Sequence, residues 1–237
     1  MTRRRWIADE VSGNRAALTG AHADHLARVL RARVGHEFDI VANGVLHRGR
    51  VAQIGDHRVE FDLGEVIPAE TAVVQLTLVL AIFKFDRMEW AIEKCTELGV
   101  TRMVPVIASR TDAHLASAAP KRVERWRRIA LQASEQSRRR SPPEIPDPIR
   151  FGDIVGVSTK LKIVLSEAED QSQLRDIDLA GEDEVLLAIG PEGGWTGEEL
   201  EMFEKQGWLA ASLGPTILRA ETAAIAATAI TMASLGS

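Results

Sequence analysis

Two short segments near the end of the chain carry residues that could bind a ligand. The first, Gly190-Pro191-Glu192-Gly193-Gly194, follows the apolar run Val185–Ile189. Its three glycines let the backbone approach a ligand closely, and open α/β sheets bind ligands at the carboxyl ends of their strands. Glu192, Glu198 and Glu199 crowd this segment, and no lysine or arginine lies near in sequence. A neutral or cationic ligand is therefore favoured over a phosphate, and a tight turn without a ligand is the alternative.

The second segment runs from Leu213 to Thr222 and reads LGPTILRAET. A glycine–proline turn followed by Ile217 and Leu218 presents backbone N–H and C=O groups between aliphatic side chains, which suits an adenine ring. The small residues of Ala223–Ala233 predict a helix buried by close packing, within one subunit or across a dimer.

The distribution of charge predicts a third functional region. Residues 1–70 hold 10 basic and 10 acidic side chains, residues 71–150 hold 14 and 9, and residues 151–237 hold 5 and 15. The net charge of -5 thus combines a basic middle with an acidic end, which indicates separate surfaces. The cations dense enough to neutralise a phosphate backbone are Lys84, Arg87, Lys94, Arg110, Lys121, Arg122, Arg125, Arg127, Arg128, Arg138, Arg139 and Arg140. A solvated helix face is the alternative interpretation.

Several common sites are missing from the sequence. It has no G-x-G-x-x-G after a strand, no G-x-x-x-x-G-K-[ST] and no H-E-x-x-H, so a nucleotide hydrolase is disfavoured. His22 and His25 share a helix face without a third ligand nearby, and we expect no metal site.

The cellular setting is expected to be reducing and cytoplasmic. The single cysteine, Cys95, cannot form an internal disulfide. The N-terminus lacks the apolar run of a signal peptide. The most apolar segment, Ala223–Leu235, is too short for a bilayer of about 30 Å, so no membrane partner is expected.

The elements that must position these segments fall into two domains, residues 1–68 and 69–237. The first is β-rich, with strands at Phe38–Val41, Val45–Val51 and Arg58–Leu63, an Asn43-Gly44 hairpin turn, and one helix at His22–Arg31. Gly64–Glu70 is the expected boundary.

The second domain alternates strands and helices, which predicts an α/β layer with a mostly parallel sheet. Its expected strands are Val74–Ile82, Met103–Ala108, Leu161–Leu165 and Val185–Ile189, and its helices are Asp86–Leu98 with Gly99 as C′ residue, Pro120–Arg138, Thr196–Gln206 and Glu221–Leu235. Thr196 and Glu199 form a capping box. Ser141–Pro148, with four prolines, is expected to be a stiff extended connection.

Five motifs in order resemble the RsmE family, the 16S ribosomal RNA (uracil-N3)-methyltransferases. They are Lys84-x-Asp86-Arg87-Met88-Glu89, Lys94-x-x-Glu97-Leu98-Gly99-Val100, Glu135-Gln136-Ser137-x-Arg139, Gly190–Gly194 and Leu213-Gly214-x-x-Ile217-Leu218-Arg219-x-Glu221-Thr222. The resemblance covers essentially the whole chain.

The resemblance implies a SPOUT-type α/β domain with a C-terminal trefoil knot and an N-terminal PUA-like β-barrel that helps to hold RNA. It further implies a homodimer, S-adenosylmethionine as cofactor and 16S rRNA, within the small ribosomal subunit, as substrate. A sulfonium cofactor agrees with the acidic loop inferred above.

The resemblance also implies roles for particular residues. The cofactor pocket would be formed by Leu165, Gly190, Pro191, Glu192, Gly193, Gly194, Leu213, Gly214, Ile217 and Leu218. Arg219 would sit between cofactor and substrate. From the chemistry of N3 methylation we hypothesise that Arg219 stabilises the uracil anion, with Glu192 as the second candidate, a proton acceptor; positioning alone is the alternative source of rate. Lys84, Arg87, Arg110 and Arg139 are expected to contact RNA.

The chain departs from the family pattern at three positions, where Phe85, Thr216 and Ala220 replace a common glycine, arginine and threonine. No cofactor-loop glycine is lost. Two alternatives stay open: a SPOUT enzyme that acts on another RNA such as tRNA, and an RNA-binding module without catalysis.

Overall fold

The computed structural model describes residues 5–68, 75–157 and 159–235. Contacts divide the chain into two units. The first comprises Met1–Ala72 and Ser134–Ser141, and the second comprises Val73–Ala133 and Pro142–Ser237. Sequence patterns did not predict that Ser134–Ser141 groups with the N-terminal residues.

The first unit contains a six-stranded sheet. Its strands, in the order β1-β4-β5-β6-β3-β2, are β1 (Arg5–Ile7), β2 (Glu10–Ser12), β3 (Arg15–Thr19), β4 (Glu37–Ala42), β5 (Val45–Gly55) and β6 (Arg58–Val66). All pairs are antiparallel except β1 with β4. Asn43 and Gly44 both have positive φ in the β4–β5 turn, as the hairpin prediction required.

The helix expected in this unit has different bounds, and one strand runs further than expected. The helix predicted at His22–Arg31 is instead α1 (Gly20–Asp24) followed by a π-helical turn at His25–Val29. Arg31 takes a positive φ, which stops any continuation of the helix. The strand β6 runs to Val66, into the predicted boundary, and residues 69 and 70 of that boundary lie outside the described residues.

The second unit contains an all-parallel sheet of six strands, as the strand–helix alternation predicted. In the order β12-β10-β11-β7-β8-β9, these are β7 (Gln75–Ala81), β8 (Arg102–Ile107), β9 (Ile149–Arg150), β10 (Leu161–Leu165), β11 (Glu184–Ile189) and β12 (Leu209–Ala211). The four predicted strands are confirmed to within two residues; Val74 of the first lies outside the described residues.

The helices along this part of the chain are α2 (Phe85–Leu98), α3 (Ala113–Ala118), α4 (Val123–Gln136), α5 (Phe151–Val155), α6 (Gly197–Lys205) and α7 (Ala220–Leu235), and α7 follows the last strand. Gly99 ends α2 with a φ of 112°, as expected of a C′ glycine. The helix predicted from Pro120 begins later, because Ala119–Arg122 forms a 3₁₀ turn ahead of α4. Between Ser141 and Pro148 the chain belongs to no helix or strand, and its one regular backbone pairing is an isolated parallel β-bridge between Glu144 and Arg102.

Both faces of the parallel sheet are buried, which explains its nearly continuous apolar strands. Along β7, Leu76, Leu78 and Leu80 face a core shared with α2, α4 and α7. Val79 and Ala81 face a second core that contains Phe151, Trp195, Phe203 and Trp208. The two cores fix the sheet, so the loops at its carboxyl edge start from rigid positions.

Among the described residues, no helix is long and apolar enough to cross a membrane.

Candidate active site

A cleft of about 450 Å³ lies at the carboxyl edge of the parallel sheet. Three loops form most of it, each following one of the neighbouring strands β10, β11 and β12, and Arg110 from the turn after β8 together with residues of α6 and α7 complete it. Its lining comprises Arg110, Leu165, Ser166, Glu167, Ala168, Ile189, Gly190, Pro191, Glu192, Gly194, Trp195, Gly197, Leu200, Ala211, Ser212, Leu213, Gly214, Pro215, Thr216, Ile217, Leu218, Ala220 and Ala223. This is the edge at which open α/β sheets bind their ligands.

The structure brings the two segments singled out in the sequence together in this cleft. Nine of the ten residues expected to bind the cofactor line it: Leu165, Gly190, Pro191, Glu192, Gly194, Leu213, Gly214, Ile217 and Leu218. Gly193 does not line it, although its carbonyl oxygen accepts a hydrogen bond from Arg110, which does. Ile217 is 82% exposed, so it offers apolar surface that a ligand could cover.

The glycine loop after β11 is closely packed. A Cβ at Gly190 would lie 3.2 Å from Trp195 Nε1, and one at Gly194 would lie 3.3 Å from Glu167 Oε1. Gly194 also has a φ of 69° and donates its N–H to Pro191 O at 2.8 Å. A side chain would therefore crowd a neighbour at either position, and at Gly194 the positive φ also favours glycine.

The helix α6 fixes the far end of this loop through the predicted capping box. Thr196 Oγ1 accepts the Glu199 N–H at 3.2 Å, and Glu199 Oε2 accepts the Thr196 N–H at 2.8 Å. Glu199 is buried, and its Oε1 also accepts the N–H of Ser109 at 2.8 Å. The cap therefore links α6 to the turn that follows β8.

Arg87 links two acidic residues. Its Nη1 lies 2.8 Å from Glu192 Oε1, and its Nε lies 3.7 Å from Glu221 Oε1. Glu221 lies in the first turn of α7 and is 4% exposed, and its Oε2 has no hydrogen-bond partner among the described residues. The start of α2 thus holds both the glycine loop and the start of α7.

Arg110 contacts the same loop from the turn after β8. Its Nη1 donates to Gly193 O at 2.6 Å and to Trp195 O at 3.2 Å. Neither Arg87 nor Arg110 therefore presents a guanidinium without partners, although both were expected to contact RNA.

The remaining predicted site residues differ in exposure. Lys84, which precedes α2, and Arg219, which precedes α7, are both exposed. Arg139 belongs to the first unit and is half-buried, and burial lowers the pKa of its guanidinium to about 10. Arg139 consequently remains charged at neutral pH.

Much of the basic middle is paired within the chain. Arg125 forms a two-pronged pair with Glu89, at 2.6 and 2.8 Å. Further examples are Lys94 with Glu93 and Glu97, Arg127 with Glu124 and Ile145 O, and Arg140 with the carbonyls of Ile67 and Pro68. Lys121 and Arg128 are exposed and form no ion pair within the described parts of the chain.

The three departures from the family pattern lie in different surroundings. Phe85 packs against Trp126, with ring centroids 6.0 Å apart, and the Arg122 guanidinium lies 4.8 Å from its ring centroid. Thr216 and Ala220 line the cleft. Phe85 therefore has a structural role at the start of α2.

Sequence reasoning missed several parts of the cleft. Ser166, Glu167 and Ala168 follow a predicted strand, so the rule applied to Gly190–Gly194 would have found them. Ala211 and Ser212 were missed because β12 has only three residues and was not predicted. Trp195 was not predicted. The structure shows that its Nε1 is buried without a hydrogen-bond partner among the described residues, which the sequence alone does not reveal.

A larger depression of about 560 Å³ lies between α4 and Pro142–Pro146. It is shallower and holds none of the residues singled out for cofactor binding or catalysis. Elsewhere, the described residues contain no group of three or more His, Cys, Asp or Glu side chains that could hold a metal ion. We therefore take the cleft at the sheet edge as the candidate active site.

Comparison with known proteins places this chain in a class. Residues 69–232 match the family model described as an RNA methyltransferase domain. Ribosomal RNA small subunit methyltransferase E of Synechocystis sp. is 34% identical, over 87% of this chain and 69% of the relative. The protein of the same name from Aquifex aeolicus is 28% identical, over 96% and 98%.

A crystal structure gives the same result for the fold. Ribosomal RNA small subunit methyltransferase E from Neisseria gonorrhoeae, bound to S-adenosyl methionine, is 29% identical with a TM-score of 0.87, over 99% of this chain and 98% of that one.

The match over residues 69–232 thus defines this protein as an RNA methyltransferase-domain protein. The chain as a whole belongs to the ribosomal RNA small subunit methyltransferase E family, the RsmE family that its five motifs resemble. The α/β fold with a separate N-terminal β unit is confirmed, and the trefoil knot stays a prediction.

Proposed function

We propose that this protein is an S-adenosylmethionine-dependent methyltransferase that methylates N3 of a uridine in 16S ribosomal RNA of the small subunit. One observation carries the proposal. The two segments expected to bind the cofactor converge on a single cleft, in a chain that shares the fold of a relative bound to S-adenosyl methionine.

The cleft fits this cofactor in size and chemistry. A volume of about 450 Å³ lies within the range of small-molecule sites. Leu165, Leu213 and Leu218 supply apolar surface for an adenine ring, while Glu167 and Glu192 supply negative charge that suits a sulfonium. Trp195 Nε1 is a buried donor without a partner in the described structure. When bound, S-adenosylmethionine supplies an electrophilic methyl group.

Two side chains have the chemistry to prepare the uracil. N3 must lose its proton before methylation, and the resulting negative charge spreads to O2 and O4. We assign charge stabilisation to Arg219, which is exposed beside the cleft residue Leu218. Glu192 is the proposed proton acceptor through Oε2, because its Oε1 is occupied by Arg87.

RNA contacts are proposed for exposed cations in each unit. In the second unit, Lys84 and Arg219 are exposed near the starts of α2 and α7. In the first unit, Arg31 and Arg33 are exposed and lie in sequence beside the exposed apolar residues Val29 and Val34, and the half-buried Arg139 is proposed as a further contact. Arginines interleaved with apolar side chains suit a backbone with unstacked bases.

The trefoil knot, the homodimer and the cytoplasmic location are proposed from the family resemblance. The small residues of α7 and the exposed Trp90 on α2, which packs against α7, are compatible with a subunit interface on these helices. Light scattering coupled to size-exclusion chromatography will show a mass near twice 25.9 kDa if the dimer forms.

The decisive experiment compares rRNA from a strain that lacks the gene with rRNA from the same strain complemented by it. Mass spectrometry is expected to show one N3-methyluridine in 16S rRNA that disappears on deletion and returns on complementation. A tRNA methyltransferase would instead change a tRNA nucleoside. A non-catalytic RNA-binding protein would change neither and would show no saturable heat with S-adenosylmethionine.

A further inference from the structure

Arg110 lies on a turn outside both cofactor-binding segments, yet it contacts one of them directly. Its Nη1 donates to the carbonyl oxygens of Gly193 and Trp195 at 2.6 and 3.2 Å. Its Cβ and Cδ also pack against the loop, since a Cβ added at Gly193 would lie 3.7 and 3.4 Å from them. A guanidinium thus spans the second half of the glycine loop.

The turn that carries Arg110 is itself fixed. Thr111 donates its N–H to Ala108 O at 3.0 Å, and Thr111 Oγ1 accepts the Ala108 N–H at 3.1 Å. Thr111 Oγ1 also donates to Ile82 O at 3.4 Å, at the end of the neighbouring strand. Together with the bond from Ser109 N–H to Glu199, these contacts anchor the base of the Arg110 side chain.

The loop needs such support because its backbone forms few bonds of its own. Within residues 190–195, Gly194 N–H to Pro191 O is its internal backbone hydrogen bond, and Gly194 is held at a positive φ. Charge-assisted hydrogen bonds are stronger than neutral ones. Arg110 therefore contributes two of the contacts that keep the loop in the shape lining the cleft.

We propose that Arg110 is a positioning residue for the cofactor, which holds the Gly190–Trp195 loop in its binding conformation instead of contacting RNA. This inference rests on the proposed function of the cleft. It predicts that cofactor affinity and RNA affinity respond differently when Arg110 is changed.

The test uses the full-length protein with Arg110→Ala, Arg110→Lys and the control Arg128→Ala, which removes an exposed arginine on α4. Calorimetry with S-adenosylmethionine is expected to show affinity about 10-fold or more weaker for Arg110→Ala. Arg110→Lys is expected to be intermediate, since an ammonium lacks the planar fork. Arg128→Ala is expected to bind the cofactor like wild type.

Two further measurements separate positioning from RNA contact. Affinity for a 16S rRNA fragment, measured without cofactor, is expected to change less than about twofold in Arg110→Ala. Hydrogen exchange of the peptide covering residues 190–196 is expected to be faster in that variant. If Arg110→Ala does not fold, the same measurements on Arg110→Lys distinguish positioning of the loop from contact with RNA.

Unchanged cofactor affinity with unchanged hydrogen exchange in a folded variant would overturn the proposal. Loss of RNA affinity with full cofactor affinity would show that Arg110 contacts phosphate, as the sequence first indicated. Absence of cofactor binding in the wild-type protein would instead overturn the proposed function of the cleft.

Discussion

At the scale of single residues, the two side chains proposed for catalysis differ in how far the protein already engages them. Glu192 is paired with Arg87, whereas no carboxylate within the described ranges pairs with Arg219. An exposed guanidinium on the cleft loop is free to meet a substrate. This difference favours Arg219 as the group that responds to the uracil.

We predict that Arg219→Ala reduces kcat for methyl transfer by about 100-fold or more, because one donor to a developing oxyanion is lost. Cofactor affinity, measured by calorimetry, should stay near the wild-type value. Lys205→Ala serves as a control, since Lys205 is an exposed cation on α6 paired only with Glu201 among the described residues. Undiminished methyl transfer by Arg219→Ala would remove Arg219 from the chemistry.

Cys95 gives a residue-scale prediction about pH. Burial raises the pKa of its thiol from 9.0 to about 12, although the Thr228 hydroxyl, 3.4 Å from Sγ, opposes the shift. Below pH 9 the thiol is neutral in both the folded and the unfolded chain, so its burial contributes fully to the free energy of unfolding. Above pH 9 the unfolded chain loses the proton first, so the free energy of unfolding falls as the pH rises towards 12.

Urea unfolding of wild-type protein and Cys95→Ala at a series of pH values measures this contribution. Other titrating groups cancel in the difference between the two proteins. Relative to Cys95→Ala, the wild type should lose about 1 kcal/mol per pH unit above pH 9. Parallel pH profiles would contradict the buried, neutral thiol.

At the scale of elements, Gly99 shows how one residue ends α2 and seats α7. Its φ is 112°, and an added Cβ would lie 2.8 Å from Met232 Cε of α7. Gly99→Ala is therefore predicted to lower the free energy of unfolding by about 1–2 kcal/mol, mainly through backbone strain, because Met232 Cε is the far end of a flexible side chain and can shift.

Gly156→Ala is the matched control, because Gly156 ends α5 with a negative φ and a Cβ there would meet nothing within 4 Å. Chemical denaturation of both variants should show a loss for Gly99→Ala that clearly exceeds any for Gly156→Ala. Equal free energies of unfolding for the two variants would mean that an alanine at position 99 adopts the left-handed conformation with little strain.

Sequence patterns predicted the elements well where periodicity was strong. The buried strands β7, β8, β10 and β11 and the helices α2, α6 and α7 have long apolar runs or clear caps. Short elements such as β12 and α5 lack the length for a periodic pattern. Helix α1 passes into a π-helical turn that the sequence pattern did not reveal, and Ala23 and Leu26 of these two segments are buried in the first unit's core.

The cleft was predictable to a similar degree. The residues beside the glycines that follow β11 and β12 could be singled out from the sequence. The rule that parallel sheets bind ligands at the carboxyl ends of their strands requires only that the strand and the loop after it be recognised. Arg87 and Arg110 were assigned to RNA because their partners, Glu192 and the Gly193 carbonyl, are distant in sequence. Charge density alone does not reveal which cations the fold has already paired.

At the scale of the whole molecule, this pairing changes what the basic middle can do. The excess of +5 in residues 71–150 remains, yet many of its cations already contact carboxylates or carbonyl oxygens within the chain. The number of counterions released depends on how many phosphates the protein neutralises. An arginine that already pairs with a carboxylate gains less binding free energy from a phosphate than an unpaired arginine does.

We therefore predict that RNA affinity depends on salt less steeply than the twelve cations of the basic middle would require. Twelve phosphate contacts to single-stranded RNA would give a slope of about -8 in a plot of log affinity against log salt concentration, and we expect a clearly shallower slope. Lys121→Ala should reduce the magnitude of the slope, because Lys121 is exposed and unpaired among the described residues. Arg125→Ala should leave it nearly unchanged, since the Arg125 guanidinium is already held by Glu89. A slope near -8, or an equal effect of both substitutions, would mean that RNA displaces these internal pairs on binding.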